Sequence, residues 1–274
     1  MLSELPASAL YSSPSLGLLW QKVHLLCSPY VVRRSVQKLY ERPAPALLSL
    51  LTGKSYHWIA LGCADAQKES LLSKKIPTPA SFHAADTNLQ LARRGTERFT
   101  TPKKSYVSID LTSPRMPSSI LRVPKPWFIT LFGVLPNLDP LPLLRRLSRE
   151  MQPGDLLLLS ANLAPGKSGF VGARKILQQY DNPPTREWLE AAVARFRPRL
   201  PKGYLVFDVF PDPRQKSLAR IEARWISGRR RTIVFSSRRP TPTQVESWVR
   251  KVRLRTLGHF LEPRREEGIW LVTR

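Results

Sequence analysis

Cysteine is nearly absent: Cys27 and Cys63 are the only two in 274 residues. That is too few for a disulfide framework or an all-thiolate zinc site, and it fits a reducing compartment. Carboxylates are scarce as well, 20 Asp and Glu against 44 Lys and Arg. No apolar run approaches the ~18 to 20 residues that a membrane-crossing helix needs. Residues 1–10 carry no basic n-region, and Lys22 closes the apolar stretch that follows Leu18, so no secretory or lipidation signal is read. The expectation is a soluble cytoplasmic monomer with no membrane partner. His24, His57, His83 and His259 show no HExxH spacing, and neither a Gly-x-Ser-x-Gly elbow nor a Walker GxxxxGK[ST] loop occurs. Zinc protease, serine hydrolase and P-loop chemistry are therefore unsupported, and no metal is expected.

What the chain has in excess is positive charge, a formal +24. Clustered cations bind phosphate backbones by releasing counterions. Here they come as scattered pairs such as Arg33-Arg34, Lys74-Lys75 and Arg264-Arg265, with one triplet, Arg229-Arg230-Arg231. No C2H2 finger, RNP aromatic motif or GXXG loop accompanies them. Asp181-Asn182-Pro183-Pro184 has the look of a base-methylating tetrapeptide, but it follows a helical stretch outside the strand series and reads as a turn. Nucleic acid is accordingly a secondary partner in this reading.

Residues 1–52 read as helices punctuated by proline, over 15–26 and 31–40, forming a cap rather than a sheet. From 57 to 159, short apolar runs (57–61, 81–85, 106–109, 127–132, 156–159) alternate with helical stretches (67–72, 89–94, 141–151). That alternation predicts βα units and a parallel sheet covered on both faces. Residues 171–180 and 185–196 read as helices, the second with Thr185 as N-cap. Strands over 204–210, 218–226 and 231–236 follow, then a helix over 243–254 and a closing hairpin of 256–261 with 269–273. The predicted organisation is a helical substrate-side segment (1–52), a core (53–165), an inserted substrate domain (166–240) and a closing segment that completes the core sheet (241–274).

In a parallel sheet the ligand lies beyond the carboxyl ends of the strands. Here those ends carry Gly62, Asp86, Asp110 and the segment from Gly133 to Asn137. A small-residue turn admits a cofactor close to the backbone, and a carboxylate at the next strand end can accept both hydroxyls of a ribose.

The series Leu61-Gly62-Cys63-Ala64, Asp86, Ile109-Asp110-Leu111, Pro136-Asn137-Leu138-Asp139-Pro140 and Gln152-Pro153-Gly154-Asp155 resembles the histidine-specific S-adenosylmethionine-dependent methyltransferases, the family of the ergothioneine-pathway histidine Nα-methyltransferase. The likeness extends thinly outward through Tyr30 and Arg33, Tyr180-Asp181 and Ile221-Glu222-Ala223. The resemblance implies an α/β class: a Rossmann-like class I methyltransferase sheet with helices on both faces. To this it adds a second α+β substrate domain, built from the N-terminal segment and an insertion after the fifth strand. It implies that S-adenosyl-L-methionine meets Gly62, Ala64, Lys68, Asp86, Asp110, Leu111 and Gly133. It also implies that Asn137 and Tyr180 are catalytic and that Tyr30, Arg33, Val234 and Ser236 join them around a small-molecule amine.

The chain departs from that pattern at three positions. Ala60 stands where many methyltransferases have an acidic residue, Ala64 replaces a glycine, and Val234 replaces the Glu of the histidine-methylating members. An isopropyl group leaves an imidazole N–H unpaired at a cost of ~1 to 3 kcal/mol, which points to an amine other than histidine. The alternatives are a degraded methyltransferase acting as a basic binding protein, and a nucleic-acid methyltransferase.

Overall fold

The computed structural model describes residues 2–11, 13–166, 168–197 and 202–274. Among them the strands are β1 (Leu2–Glu4), β2 (His57–Leu61), β3 (Ser81–Asp86), β4 (Lys103–Ser108), β5 (Trp127–Leu131), β6 (Leu156–Asn162), β7 (Tyr204–Pro211), β8 (Ala219–Ser227), β9 (Arg230–Arg239), β10 (Arg255–Leu261) and β11 (Glu267–Thr273). The helices are α1 (Pro14–Cys27), α2 (Pro29–Val32), α3 (Arg34–Leu39), α4 (Ala44–Leu51), α5 (Gln67–Ser73), α6 (Leu89–Glu97), α7 (Ser118–Leu121), α8 (Pro140–Glu150), α9 (Gly169–Lys175), α10 (Pro183–Phe196) and α11 (Pro242–Lys251). The chain divides into two compact units, Met1–Arg34 with Leu163–Thr241, and Ser35–Asn162 with Pro242–Arg274. The first division falls at residue 34, so α4 belongs with the strands that follow it and not with the N-terminal helices, as the 1–52 boundary had it.

The second unit holds a seven-stranded sheet in the order β10-β11-β6-β5-β2-β3-β4. Strands β2 to β6 are parallel, and β11 is inserted antiparallel between β6 and β10. Every residue of β5 is buried, as are all of β2 but His57 and all of β6 but Asn162. That continuous apolar character is what a sheet covered on both faces requires. Strand β4 begins at Lys103, three residues before the apolar run that predicted it. It is the edge strand and is largely exposed, so its first half carries a lysine pair, which blunts the edge, instead of a hydrophobic signal.

Local chemistry sets the helix starts. Asn88 caps α6 by accepting from Gln90 N and Leu91 N, and Asp139 caps α8 by accepting from Leu141 N, with Pro140 filling the first position. The Pro-Gly-Asp turn lies at the opposite end of the sheet from the strand-end glycines. There Asp155 Oδ1 accepts from Trp127 N at 2.7 Å, and its Oδ2 accepts from Gln152 N and Lys125 Nζ.

The first unit holds a four-stranded sheet, β1-β9-β8-β7, packed on α1, α9 and α10. Strand β1 falls where the sequence reads as a helical cap. Three residues carry no period, and the strand exists because β9 supplies its backbone partners, Leu2 opposite Arg231 and Glu4 opposite Ile233. The helix expected over 31–40 breaks at Arg33, whose extended backbone (φ −125°, ψ 113°) separates α2 from α3. That expected over 171–180 ends at Lys175 and continues as a 3-10 turn, Leu177–Gln179. The N-cap of α10 is Asn182, not Thr185: its Oδ1 accepts from Thr185 N at 3.0 Å, and Pro183 and Pro184 occupy the first turn, where no N–H is needed.

Candidate functional site

The strand-end residues of the second unit converge on one loop. After β2 the chain turns at Gly62 with φ +61°, where a Cβ would stand 2.5 Å from Val134 Cγ2 and 3.3 Å from Leu111 Cδ1. Only glycine serves there. Ala64 and Ala66 also adopt left-handed backbone, φ 48° and 53°, which costs an alanine ~1 to 2 kcal/mol. The glycine-like shape therefore survives the substitution at Ala64 because the surroundings enforce it. Asp86 Oδ2 accepts from Ala64 N at 2.8 Å, and Arg98 donates to both Asp65 O and Asp65 Oδ2. Strain of this kind, held by neighbours, is typical of ligand-binding turns.

Asp86 closes β3. Burial raises its pKa, while N–H groups of Asn88 and Ala64 and the Thr87 hydroxyl oppose the shift. The Thr87 N–H is a fourth donor, so the roughly four acceptor positions of the carboxylate are engaged and a ribose hydroxyl would bind by displacing one of them. Asp110, two residues beyond β4, is exposed and turns on itself: Oδ1 accepts from Thr112 Oγ1 and Thr112 N, which lowers its pKa. Leu111 beside it is buried, and its carbonyl accepts from Arg146 Nη2 at 3.1 Å. Beyond β5, Gly133 (φ +72°) donates its N–H to Ser160 Oγ. Asn137 ends the 3-10 turn Leu135–Asn137; its side-chain amide is half-buried and has no hydrogen-bond partner among the described residues.

Tyr40, Glu69, Ser160 and Glu267 lie beside Lys68 and Gly133 and belong to none of the sequence motifs. Tyr40, just after α3, is fully buried; its hydroxyl donates to the Glu267 carboxylate and lies 3.4 Å from Ser160 Oγ. Lys68 Nζ sits 4.7 Å over the Tyr40 ring. Glu69 is buried beside it, accepts from Thr130 Oγ1, and is pushed up to about 7 by burial. The available signals were small: Ser160 interrupts an otherwise apolar strand at its carboxyl end, and Glu267 sat in a charged stretch that reads as a turn. Burial also pushes the Cys63 thiol well up, so it is a poor nucleophile.

The acceptor-side residues belong to the first unit. Tyr180 lies beyond the 3-10 turn, its hydroxyl 3.2 Å from Ser237 Oγ and its ring 5.7 Å from Phe235. Phe235 continues through Trp188, Tyr11, Trp20 and His24 to Tyr30, a run of ring contacts that links Tyr30 with Tyr180. Arg33 is the extended residue between α2 and α3. Ser236 Oγ donates to Glu4 Oε1 at 3.1 Å. Val234 is the extra residue of a β-bulge, since Ala223 pairs with Phe235 and Arg224 with Ile233. Its side chain is fully buried in the apolar cluster with Leu5, Leu205 and Ala223 and presents nothing to a ligand.

No helix among the described residues is long and apolar enough to cross a membrane. No family model matches the chain, and no curated protein matches it in sequence. Solved structures do. A methyltransferase from Clostridium acetobutylicum described as S-adenosylmethionine-dependent aligns over 94% of this chain and 98% of its own, at 11% identity and TM-score 0.52. A protein from Pyrococcus horikoshii aligns over 93% and 97% at 12% identity, also with TM-score 0.52. The O-methyltransferase NcsB1 of neocarzinostatin biosynthesis aligns over 96% of this chain and 60% of its own, at 14% identity and TM-score 0.50. The second unit thus carries the Rossmann-like sheet of the class I methyltransferases, with its one inserted antiparallel strand.

Proposed function

We propose that the protein is an S-adenosylmethionine-dependent methyltransferase that acts on the amine of an amino acid or related small molecule other than histidine. One observation carries this reading: in a sheet of methyltransferase topology, the ends of three adjacent parallel strands present a left-handed glycine turn, a half-buried carboxylate tied to that turn, and a second, exposed carboxylate. The residues fit the cofactor. Asp86 can take ribose hydroxyls, Asp110 and Leu111 frame an adenine, Gly62, Ala64 and Gly133 let its backbone-facing edge approach, and Lys68 offers an ammonium to its carboxylate. When bound, the cofactor supplies a methyl group already activated on a sulfonium.

The chain's own task is then alignment more than acid-base chemistry. The unengaged Asn137 amide can accept from an incoming amine and orient its lone pair. Within the first unit, the resemblance assigns Tyr30, Arg33, Tyr180 and Ser236 to acceptor binding. The kinship with the histidine-specific enzymes remains part of this proposal.

Calorimetric titration with S-adenosylhomocysteine tests the reading, followed by a methyl-transfer screen over amino acids and small amines. Micromolar binding that Asp86→Ala abolishes is expected, with turnover of a non-histidine amine. A folded wild type that binds neither S-adenosylhomocysteine nor S-adenosylmethionine overturns the reading, and methylation of histidine overturns the acceptor assignment.

A further inference from the structure

We propose that Tyr40 is a positioning residue for Lys68 and for the turn at Gly133, held in that role by Glu267 and Ser160; the inference rests on the methyltransferase reading of the site. Tyr40 lies outside every strand-end motif, yet it meets both sides of the candidate cofactor site. Its ring face carries the Lys68 ammonium at 4.7 Å, and its ring meets Phe132 edge-on at 4.9 Å. Its hydroxyl donates to Glu267, and Ser160, 3.4 Å from that hydroxyl, accepts the Gly133 N–H at 2.8 Å. Lys68 and Gly133 converge in turn, since a Cβ on Gly133 would stand 3.3 Å from Lys68 Nζ.

Tyr40, Ser160 and Glu267 are all buried, with exposures of 0%, 0% and 4%. Burying a phenol and a carboxylate is unfavourable unless each is hydrogen-bonded, and apolar side chains would fill the same space at less cost. The arrangement does something that an apolar filling cannot. A phenol donating to a carboxylate has a more electron-rich ring face, which strengthens its hold on an ammonium. The last strand of the sheet thereby fixes where a lysine from the first crossover stands, beside the turn that follows β5. Burial and Glu267 together keep the Tyr40 hydroxyl protonated, so it remains a donor.

The test is a double-mutant cycle, Tyr40→Phe against Lys68→Met, read by calorimetric affinity for S-adenosylhomocysteine, with thermal unfolding of each variant. Tyr40→Phe is expected to weaken binding about tenfold, the loss of ~1.4 kcal/mol. In the Lys68→Met background the same change is expected to have a clearly smaller effect, because the ammonium is gone and only the turn at Gly133 is left for it to hold. Tyr40→Phe combined with Glu267→Leu removes the orphaned carboxylate; it is expected to recover the melting temperature lost in Tyr40→Phe while binding stays weak. Equal affinity of Tyr40→Phe and wild type overturns the proposal. So does a Tyr40→Phe penalty that is the same with and without Lys68, or binding that returns together with stability in the Glu267→Leu combination, since either marks a purely structural role. A wild type that binds no S-adenosylhomocysteine instead removes the cofactor site, and this role with it.

Discussion

The two ends of the seven-stranded sheet treat their buried carboxylates in opposite ways. At the end where β5 and β6 begin, Asp155 is 1% exposed and fully engaged, by the N–H groups of Trp127 and Gln152 and the Lys125 ammonium. At the other end, Glu69 is equally buried but has one neutral side-chain partner, Thr130, and its pKa is pushed up to about 7. Asp86, also raised by burial, is tied to the strained loop at Ala64. The first arrangement locks the fold. The second leaves Glu69 with a single side-chain partner and holds the backbone strained at Ala64 and Ala66, which is how binding sites differ from scaffolds.

Breaking Asp155 should have the largest effect. Asp155→Ala leaves a lysine and two N–H groups without their acceptor and is expected to cost about 3 to 5 kcal/mol in urea unfolding, with the affinity of the folded fraction for S-adenosylhomocysteine unchanged. Asp86→Ala should do the reverse, abolishing binding with a smaller loss of stability. Matching effects of the two on stability and binding would erase the contrast between the ends.

The pH dependence sharpens the comparison. Folded Glu69 keeps its proton up to about pH 7, whereas the unfolded chain releases it near 4.5, the ordinary value of a glutamate. The folded state binds more protons in that window, so the Glu69 contribution declines as pH rises from 4.5 to 7, by on the order of 3 kcal/mol. His83 works the other way. It lies in the relay His57–Ser81–His83–Ser105 near the strand starts, and burial lowers it to about 4. The unfolded state binds more protons between 4 and 6.5, so this contribution grows with pH. The two nearly cancel in the wild type. Glu69→Gln should expose a stability that rises between pH 4 and 6.5, and His83→Phe one that falls between 4.5 and 7; parallel profiles in denaturant titrations would sink the assignment.

Smaller effects follow. Ala64→Gly relieves left-handed strain but adds freedom to the unfolded chain, for a net gain of ~0.5 to 1 kcal/mol in thermal unfolding. A loss of stability there would mean that the loop is not strained. Smallest of all, Lys22→Met removes an ion pair to Glu187 in the first unit that is half-exposed on both sides, and should change stability by less than ~1 kcal/mol.

The strands of the larger sheet were legible because a parallel sheet covered on both faces demands apolar runs, and β2, β3, β5 and β6 are such runs. Gly62, Asp86 and Asp110 were legible for the same reason: each stands where a run stops. The edge strand β4 was half-read because its lysines need no burial, and β1 was missed because its only reason to be a strand lies on β9. Val234 enters the sequence reading only through the resemblance, and no pattern in the sequence marks the bulge that turns its side chain into the apolar cluster.

By itself, then, the sequence determined which segments are core strands, where each ends, and which polar residues stand at those ends, since periodicity and composition are local properties. The tertiary structure alone decided the strand order, the antiparallel entry of β11, and the meeting of Tyr40 with Glu267 across 227 positions. No local pattern encodes which distant partner satisfies a buried phenol or an unpaired strand; that choice is made only when the whole core closes and every desolvated polar group must find its acceptor.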